Sequence, residues 1–378
     1  MKLKILQASK AYPPYLGGVE TIVKQLAEGF GDRDHNSSVL VSSNDKYESQ
    51  EFTNNVSIYR TPTYKVVLSL PLSPQYPFKL LELVEDIDIL QLHEPFLFAP
   101  AILKLLEKKL AGKFRKLVVW WHSDIIRQQK LEFLYRPLLE NLLEKADAVI
   151  VATPNHISSS TFLPKYQHKC HIIPFGIDSH RFKTTPALKD RVLKIRESFN
   201  GKPIVLFTGR LVYYKGIEYL VDAMSLIPEA HLIVVGVGPL REKLEQMAID
   251  SHNNISFMSF LQESELLDMY QACDIFVLPS VENSEAFGIV QLEAMACGKP
   301  VITADINTGV NYVNQHELTG LVVEKRNPTA LADAIKKLIH NPELRSQLGD
   351  FAQSRIMRDF TTDKMIDSTI NLYQSLLE

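Results

Sequence analysis

At 378 residues the chain exceeds one ordinary domain and suits two of α/β size. With 46% hydrophobic and 22% charged residues it belongs among ordered globular proteins, not disordered ones. A formal net charge of -3 gives no general reason to expect a nucleic-acid partner.

Cys170, Cys273 and Cys297 lie far apart and form no CxxC pair, which argues against a disulfide scaffold and structural zinc and for a reducing, cytoplasmic setting. Residues 1–10 have too short an apolar run for a secretory signal. The uncharged, apolar-leaning stretch 66–78 is broken by Pro71, Pro74 and Pro77, so no helix there spans a bilayer.

Short apolar runs alternate with helical patterns along the chain. In the first half, strands are predicted at 4–8, 38–42, 87–92, 116–121, 148–152 and 171–173. Helices are predicted at 19–30, 100–109, 131–144 and 155–162. The second half repeats the scheme, with strands at 204–208, 231–235, 255–258, 275–278, 300–303 and 320–322. Its helices fall at 217–225, 240–250, 263–271, 290–297 and 329–340, and a closing helix at about 361–377 can pack on either domain. Such alternation implies βαβ units, hence two doubly wound α/β domains that separate near 175–202 and face a central cleft. In open parallel sheets ligands gather at the carboxyl ends of strands, so candidate residues are sought there.

After the first strand, Gly17-Gly18-Val19-Glu20 opens a helix. A glycine pair lets backbone amides approach a phosphate, although a simple tight turn reads the same. The third glycine of a dinucleotide fingerprint is missing. Trp120-Trp121-His122 ends a strand, which makes His122 a site candidate as well as a structural one.

After the first strand of the second half comes Gly209-Arg210, then Lys215-Gly216. A guanidinium fork and an ammonium on one loop suit a diphosphate and the charge of a leaving group. Gly236-Val237-Gly238 is a further glycine turn into a helix, suited to contact with a base or ribose.

The most informative segment is Glu285-Ala286-Phe287-Gly288-Ile289-Val290-Gln291-Leu292-Glu293, running into a helix that Gly298 and Pro300 stop. With Glu285 before the helix and Glu293 two turns in, roughly 12 Å of rise separates two carboxylates. They are too far apart to share a proton but can grip two ends of a polyhydroxy ligand. Amides near Phe287 and Gly288, at the helix N-terminus, favour an anion between them. Two solvated charges on a surface helix would look the same in sequence. Asp86-Ile87-Asp88 and Asp32-Arg33-Asp34 match a metal-binding string, yet both read better as turn and cap residues. With Arg210 and Lys215 to offset phosphate charge, no metal is expected.

Taken in order, Gly17-Gly18-Val19-Glu20, Gly209-Arg210 with Lys215-Gly216, and Glu285 to Glu293 followed by Ala294-Met295-Ala296-Cys297-Gly298-Lys299-Pro300 resemble the retaining glycosyltransferases of family four, which have the GT-B fold. The resemblance covers essentially the whole chain. It implies an acceptor-side domain over 1–180, a nucleotide-sugar-binding domain over 181–360, and a closing helix, 361–378, that crosses back to the first. It implies that Glu285 touches the donor sugar's hydroxyls, Glu293 holds the ribose, and Arg210 and Lys215 bind the diphosphate. It further makes Gly18 an amide donor to phosphate and places His122 near the reacting centre, with Gly17, Gly209, Gly236, Gly238, Ala286, Phe287, Gly288 and Ile289 around the donor. Such enzymes need no metal or cofactor and retain anomeric configuration by front-face displacement.

Finer detail, Trp121-His122-Ser123-Asp124 and Ser284 to Glu293, resembles bacterial mannosyltransferases that build O-antigen of lipopolysaccharide or related polysaccharides. This implies GDP-mannose as donor and a lipid-linked saccharide acceptor at the inner face of the cytoplasmic membrane. Ser259 replaces a glycine common in a loop that meets the base. A UDP-sugar enzyme of the same fold, or a sugar-nucleotide epimerase, is the alternative. Acceptor contacts are expected in 12–16, 64–77 and 93–98. Between residues 101 and 117, Lys104, Lys108, Lys109, Lys113, Arg115 and Lys116 face one anion, Glu107, with interleaved leucines. That pattern suits either a helix on an anionic membrane or a solvated helix whose leucines face its own core.

Overall fold

A computed structural model describes residues 1–15, 17–43, 45–67, 70–96, 98–124, 132–183, 185–250 and 254–378. Residues 16, 68, 69 and 97, within the expected acceptor loops, and residue 131, at the start of an expected helix, lie outside them. The chain forms two compact units, Met1–Phe175 with Thr362–Glu378, and Gly176–Thr361.

The first unit is built on an eight-stranded sheet and a small hairpin. Its strands are β1 (Lys4–Ala8), β2 (Asn36–Ser43), β3 (Ser49–Thr53), β4 (Val56–Pro62), β5 (Lys65–Val67), β6 (Leu70–Leu72), β7 (Ile87–Glu94), β8 (Phe114–Trp121), β9 (Ala148–Val151) and β10 (Cys170–Ile172). The sheet order is β10-β9-β8-β7-β1-β2-β4-β3. All its pairings are parallel except β3 with β4, and β5 and β6 form the separate antiparallel hairpin. The central strands read as unbroken apolar runs because both faces are covered. Leu6, Leu90, Val119 and Val149 enter one core and Val23, Val39 and Ile58 another.

The second unit carries β11 (Ile204–Thr208), β12 (His231–Val235), β13 (Ile255–Met258), β14 (Ile275–Leu278), β15 (Val301–Ala304) and β16 (Gly320–Val323). They lie in the order β13-β12-β11-β14-β15-β16, all parallel. The order reverses between β11 and β14, and there the loops at the carboxyl ends diverge to opposite faces and leave a crevice. In the first unit the reversal falls between β1 and β7.

The periodic strands and helices of the sequence reading are present within a few residues of their expected bounds. Several elements were not expected. Strands β3 to β6 and the helix Tyr76–Leu83 occupy a stretch whose prolines hide any period: Pro71 sits in the small hairpin and Pro77 in a helix's first turn, where proline is tolerated. The expected helix at 155–162 is a shorter Pro154–Ser159 followed by a 3-10 segment, Leu163–Lys169. The supposed spacer 175–202 contains the helix Pro186–Ser198. That helix buries only Leu188 and so shows little amphipathic signal. Thr185 caps it by accepting from the Leu188 amide at 3.2 Å, and Arg191 to Asp268 at 2.7 Å and Arg196 to Asp274 at 3.3 Å tie it down.

The helix Thr362–Leu377 returns to pack on the helix Gly18–Asp32 of the first unit. Arg33 reaches Asp363 at 2.8 Å and Asp367 at 2.6 Å, while Phe30 and Tyr373 rings meet at 5.8 Å. Among the described residues no helix is long and apolar enough to cross a membrane.

Candidate active site

At the reversal point of the second unit the loop after β11 meets the loop after β14. Lys215 ends a short 3-10 turn, Tyr213–Lys215, and Glu285 lies before the helix Ile289–Ala296. The Val281 amide donates to the Tyr214 carbonyl at 2.8 Å and pins one loop to the other. Thr308 Oγ1 donates to the Glu285 carbonyl at 2.9 Å, and the Gly309 amide to that of Ala286 at 2.9 Å. Phe287 packs its ring 6.2 Å from Phe360. Gly288 takes φ 72°, a left-handed cap that lets the chain turn directly into the helix.

This scaffold brings Lys215 Nζ into a salt bridge with Glu285 Oε2, each residue only 8% exposed. Ser280 Oγ also donates to Oε2, at 3.2 Å. Lys215 and Glu285, which the sequence reading assigned to different parts of a ligand, are thus direct partners. A buried charge must be paired or hydrogen-bonded, and each of these supplies the other's compensation. Arg210, by contrast, is exposed at the start of the same loop and has no ion-pair partner among the described residues.

Glu293 lies in the second turn of the helix, at a cavity of about 200 Å³ lined also by Arg181, Phe182, Glu263, Leu267 and Tyr270. Buried Tyr270 donates from Oη to Glu293 Oε2 at 2.7 Å and meets Thr208 Oγ1 at 2.8 Å. Burial raises the Glu293 carboxyl above its ordinary range, and the Tyr270 hydroxyl opposes that shift. On the rim Arg181 pairs with Glu263 at 3.1 Å. Sequence reasoning missed Arg181, Glu263, Tyr270 and Thr208, because none falls in a strand-end glycine motif.

Gly209, Gly236 and Gly238 serve a contact between neighbouring turns. A Cβ on Gly236, at φ 153°, would sit 1.9 Å from the Gly209 carbonyl oxygen, and one on Gly238 2.4 Å from that of Leu211. The amides of Gly209 and Leu211 donate to Val235 and Val237 carbonyls at 3.0 and 2.9 Å. The turns after β11 and β12 therefore stack backbone on backbone.

In the first unit Gly17 caps, and Gly18 begins, the helix Gly18–Asp32 with both exposed. His122 follows β8 and is buried, 5% exposed, in a stack with His93, Trp120 and Phe175. His122 Nε2 lies 3.0 Å from His93 Nδ1. Burial holds His122 well below its ordinary range, with His93 and His156 adding to the effect, and holds His93 down at about 3. Both rings are neutral at physiological pH. At the end of β7, Glu94 is 1% exposed. Its Oε2 accepts from the Phe96 amide at 2.7 Å and its Oε1 has no hydrogen-bond partner among the described residues. Burial pushes the Glu94 carboxyl up to about 8, opposed by that amide.

The two Asp-x-Asp strings are engaged elsewhere. Asp86 and Asp88, at the amino end of β7, pair with Lys4 and Arg115, and Asp32 accepts from the Asn55 side chain at 3.1 Å. Among the described residues no group of three or more His, Cys, Asp or Glu is placed to hold a metal ion.

Two family matches divide the chain: Glycosyltransferase Family 4 over residues 16–181 and Glycosyl transferases group 1 over 189–355. The fold is that of GT-B glycosyltransferases. HepE of Anabaena in complex with UDP superposes with a TM-score of 0.78 at 21% identity, covering 99% of this chain and 100% of that one. O-antigen chain mannosyltransferase C of Escherichia coli is 33% identical over 381 residues, covering 100% of this chain and 99% of that protein. D-rhamnosyltransferase WbpZ of Pseudomonas aeruginosa is 32% identical over 361 residues, covering 95% and 92%. The chain belongs to glycosyltransferase family 4, alongside glycosyltransferases of O-antigen assembly.

Two outcomes follow from these buried ionisable groups. Lys215→Met alone should lower unfolding free energy by about 3–5 kcal/mol, because Glu285 is left uncompensated. Lys215→Met combined with Glu285→Gln should recover most of it, as read by denaturant unfolding. For Glu94, the folded state holds a proton that the unfolded chain has lost, so wild-type stability falls as pH rises from about 4.3 through about 8. Relative to Glu94→Gln the slope is about 1.4 kcal/mol per pH unit inside that window, and a flat difference would contradict it.

Proposed function

We propose that the chain transfers a hexose, mannose from GDP-mannose, to a saccharide acceptor of O-antigen or a related polysaccharide, with retention of anomeric configuration and without a metal. The observation that carries this reading is the Lys215–Glu285 salt bridge at the reversal point of the second sheet. Donor binding exchanges that pair for two ligand contacts. The ammonium turns to the diphosphate together with the guanidinium of Arg210, and the carboxylate is released to the sugar hydroxyls. Both cations then stabilise the charge that builds on the leaving nucleotide, which is where electrostatic catalysis acts. Glu293 grips the ribose hydroxyls with Oε1 while Tyr270 holds Oε2. Neither glutamate is a general base; the leaving phosphate takes the acceptor proton. Gly18 and His122 take the phosphate-amide and sugar-side roles that the family resemblance implies.

The base preference is supported by the rim of the Glu293 cavity. Glu263 offers a carboxylate to adjacent N–H donors such as guanine N1 and N2, and Arg181 offers a fork to O6 and N7. Uracil has one ring N–H between two carbonyls and matches a carboxylate poorly. The WbpZ relationship favours a second reading, transfer of D-rhamnose, which differs from D-mannose only at the 6-hydroxyl.

The acceptor is proposed to be lipid-linked, with the protein resting on the inner face of the cytoplasmic membrane. The basic segment is less charged than its composition suggests. Lys104, Lys113, Arg115 and Lys116 pair with Glu107, Glu85, Asp88 and Asp147 respectively, and Leu106 and Leu110 face the core. Lys108, Lys109 and the 79% exposed Leu105 remain for the surface.

A panel of GDP- and UDP-sugars should show transfer or donor hydrolysis with GDP-mannose, and Glu263→Gln with Arg181→Ala should reduce the GDP-over-UDP preference by about tenfold or more. Absence of binding to any GDP-sugar would sink the mannosyl reading, and transfer only from GDP-D-rhamnose would establish the second. Lys108→Glu with Lys109→Glu should weaken sedimentation with anionic vesicles and leave GDP binding unchanged; undiminished sedimentation removes the membrane contact.

A further inference from the structure

We infer that Tyr373, on the C-terminal helix Thr362–Leu377, is a positioning residue that sets the tautomer of His122 through Gln91 and His93. The inference rests on the role given to His122 in the proposed function, but the relay itself stands on geometry. Tyr373 Oη hydrogen-bonds Gln91 Oε1 in the interior of the first unit. Gln91 Nε2 lies 2.9 Å from His93 Nε2, and His93 Nδ1 lies 3.0 Å from His122 Nε2. Gln7 completes the cluster with Oε1 2.9 Å from the same His93 Nε2. Tyr373, Gln91 and Gln7 are all fully buried, and His93 is 1% exposed, so these bonds lie in the interior of the first unit.

Hydrogen-bond parity makes this a relay. Each imidazole is neutral and carries one N–H, so a donor on one side of His93 forces an acceptor on the other. An amide nitrogen and an amide oxygen cannot both be satisfied by one His93 Nε2, so one glutamine amide must be turned relative to its placement. Turning Gln7 keeps the phenol O–H donating to the Gln91 carbonyl. It also takes the Gln7 amide nitrogen out of a buried position where it has no partner. An unpaired buried carbonyl, which replaces it, is the better tolerated of the two. Turning Gln91 instead would leave that nitrogen orphaned and would make the phenol oxygen an acceptor.

The favoured pattern then runs in one direction. Tyr373 donates to Gln91, Gln91 donates to the His93 Nε2 lone pair, which the turned Gln7 amide shares in a three-centre bond, and His93 Nδ1–H donates to His122 Nε2. His122 is left with its proton on Nδ1, as a hydrogen-bond donor for a substrate oxygen. The C-terminal helix is held for this task by Arg33 with Asp363 and Asp367, and by the close seating of Gly29 under Ile366. A segment far along the chain thereby fixes a proton beside the first sheet's reversal point.

The experiment is 15N NMR of histidine-labelled full-length protein, wild type and Tyr373→Phe, with kcat and donor KM measured alongside. The expected wild-type spectrum shows His122 as the Nδ1–H tautomer. In Tyr373→Phe an Nε2–H population appears, and kcat falls about tenfold with donor KM unchanged, the scale of one hydrogen bond. His122 protonated on Nε2 in wild type, or an unchanged tautomer in the variant, overturns the relay. A tautomer shift with unaltered kcat upholds the relay and overturns the role of His122 in the proposed function. If Tyr373→Phe does not fold, Gln91→Glu supplies the test. Its carboxylate can only accept from His93 Nε2–H, and the relay then requires His122 to switch to Nε2–H.

Discussion

The buried ion pair between Lys215 and Glu285 is the constraint around which the second unit is organised. Two opposite charges with 8% exposure each are tolerable only where each faces the other. That requirement sets the loop after β11 against the loop after β14, and the backbone bond from Val281 to Tyr214 holds the register. The glycine stack of Gly209 against Gly236 brings the turn after β12 to the same edge. A site built in this way has its charges in place before any ligand arrives. A ligand with an anion and hydroxyls can separate the pair without leaving either partner unsatisfied.

The first unit presents a different kind of edge. Its strand ends carry neutral buried polar groups instead of charges: His93, His122, Gln7 and a Glu94 carboxyl that burial pushes up to about 8. Low local dielectric makes the proton positions in such a cluster consequential, since each bond fixes the direction of the next. One edge carries fixed charge, and the other carries fixed hydrogen-bond polarity.

Much of this was legible in the sequence because period and position carry it. The second sheet's strands appear as apolar runs flanked by glycine turns, and β11, β12, β13 and β14 fall at their expected residues. Arg210, Lys215, Glu285 and Glu293 stood out for their spacing and their place after strands. What could not be read was the pairing of Lys215 with Glu285, which joins loops about seventy residues apart, nor Tyr270 behind Glu293, an ordinary helix residue by pattern. Helix Pro186–Ser198 was hidden because ion pairs, not an apolar stripe, attach it. Tyr373 was invisible for a similar reason, since its meaning lies wholly in the partner it meets in the core.

The competition within the Lys215–Glu285 pair leads to one direct measurement, calorimetric titration of GDP, without a sugar, into wild type and Glu285→Gln. Under the proposed function GDP offers Lys215 its phosphates but gives Glu285 nothing in return, so in wild type it has to displace the carboxylate. Neutralising Glu285 removes that competitor and an adjacent negative charge. GDP is therefore expected to bind Glu285→Gln about tenfold more tightly than wild type, the scale of one charge-assisted hydrogen bond, while sugar transfer is lost. Equal or weaker GDP binding by Glu285→Gln would mean that the buried pair does not gate the phosphate site.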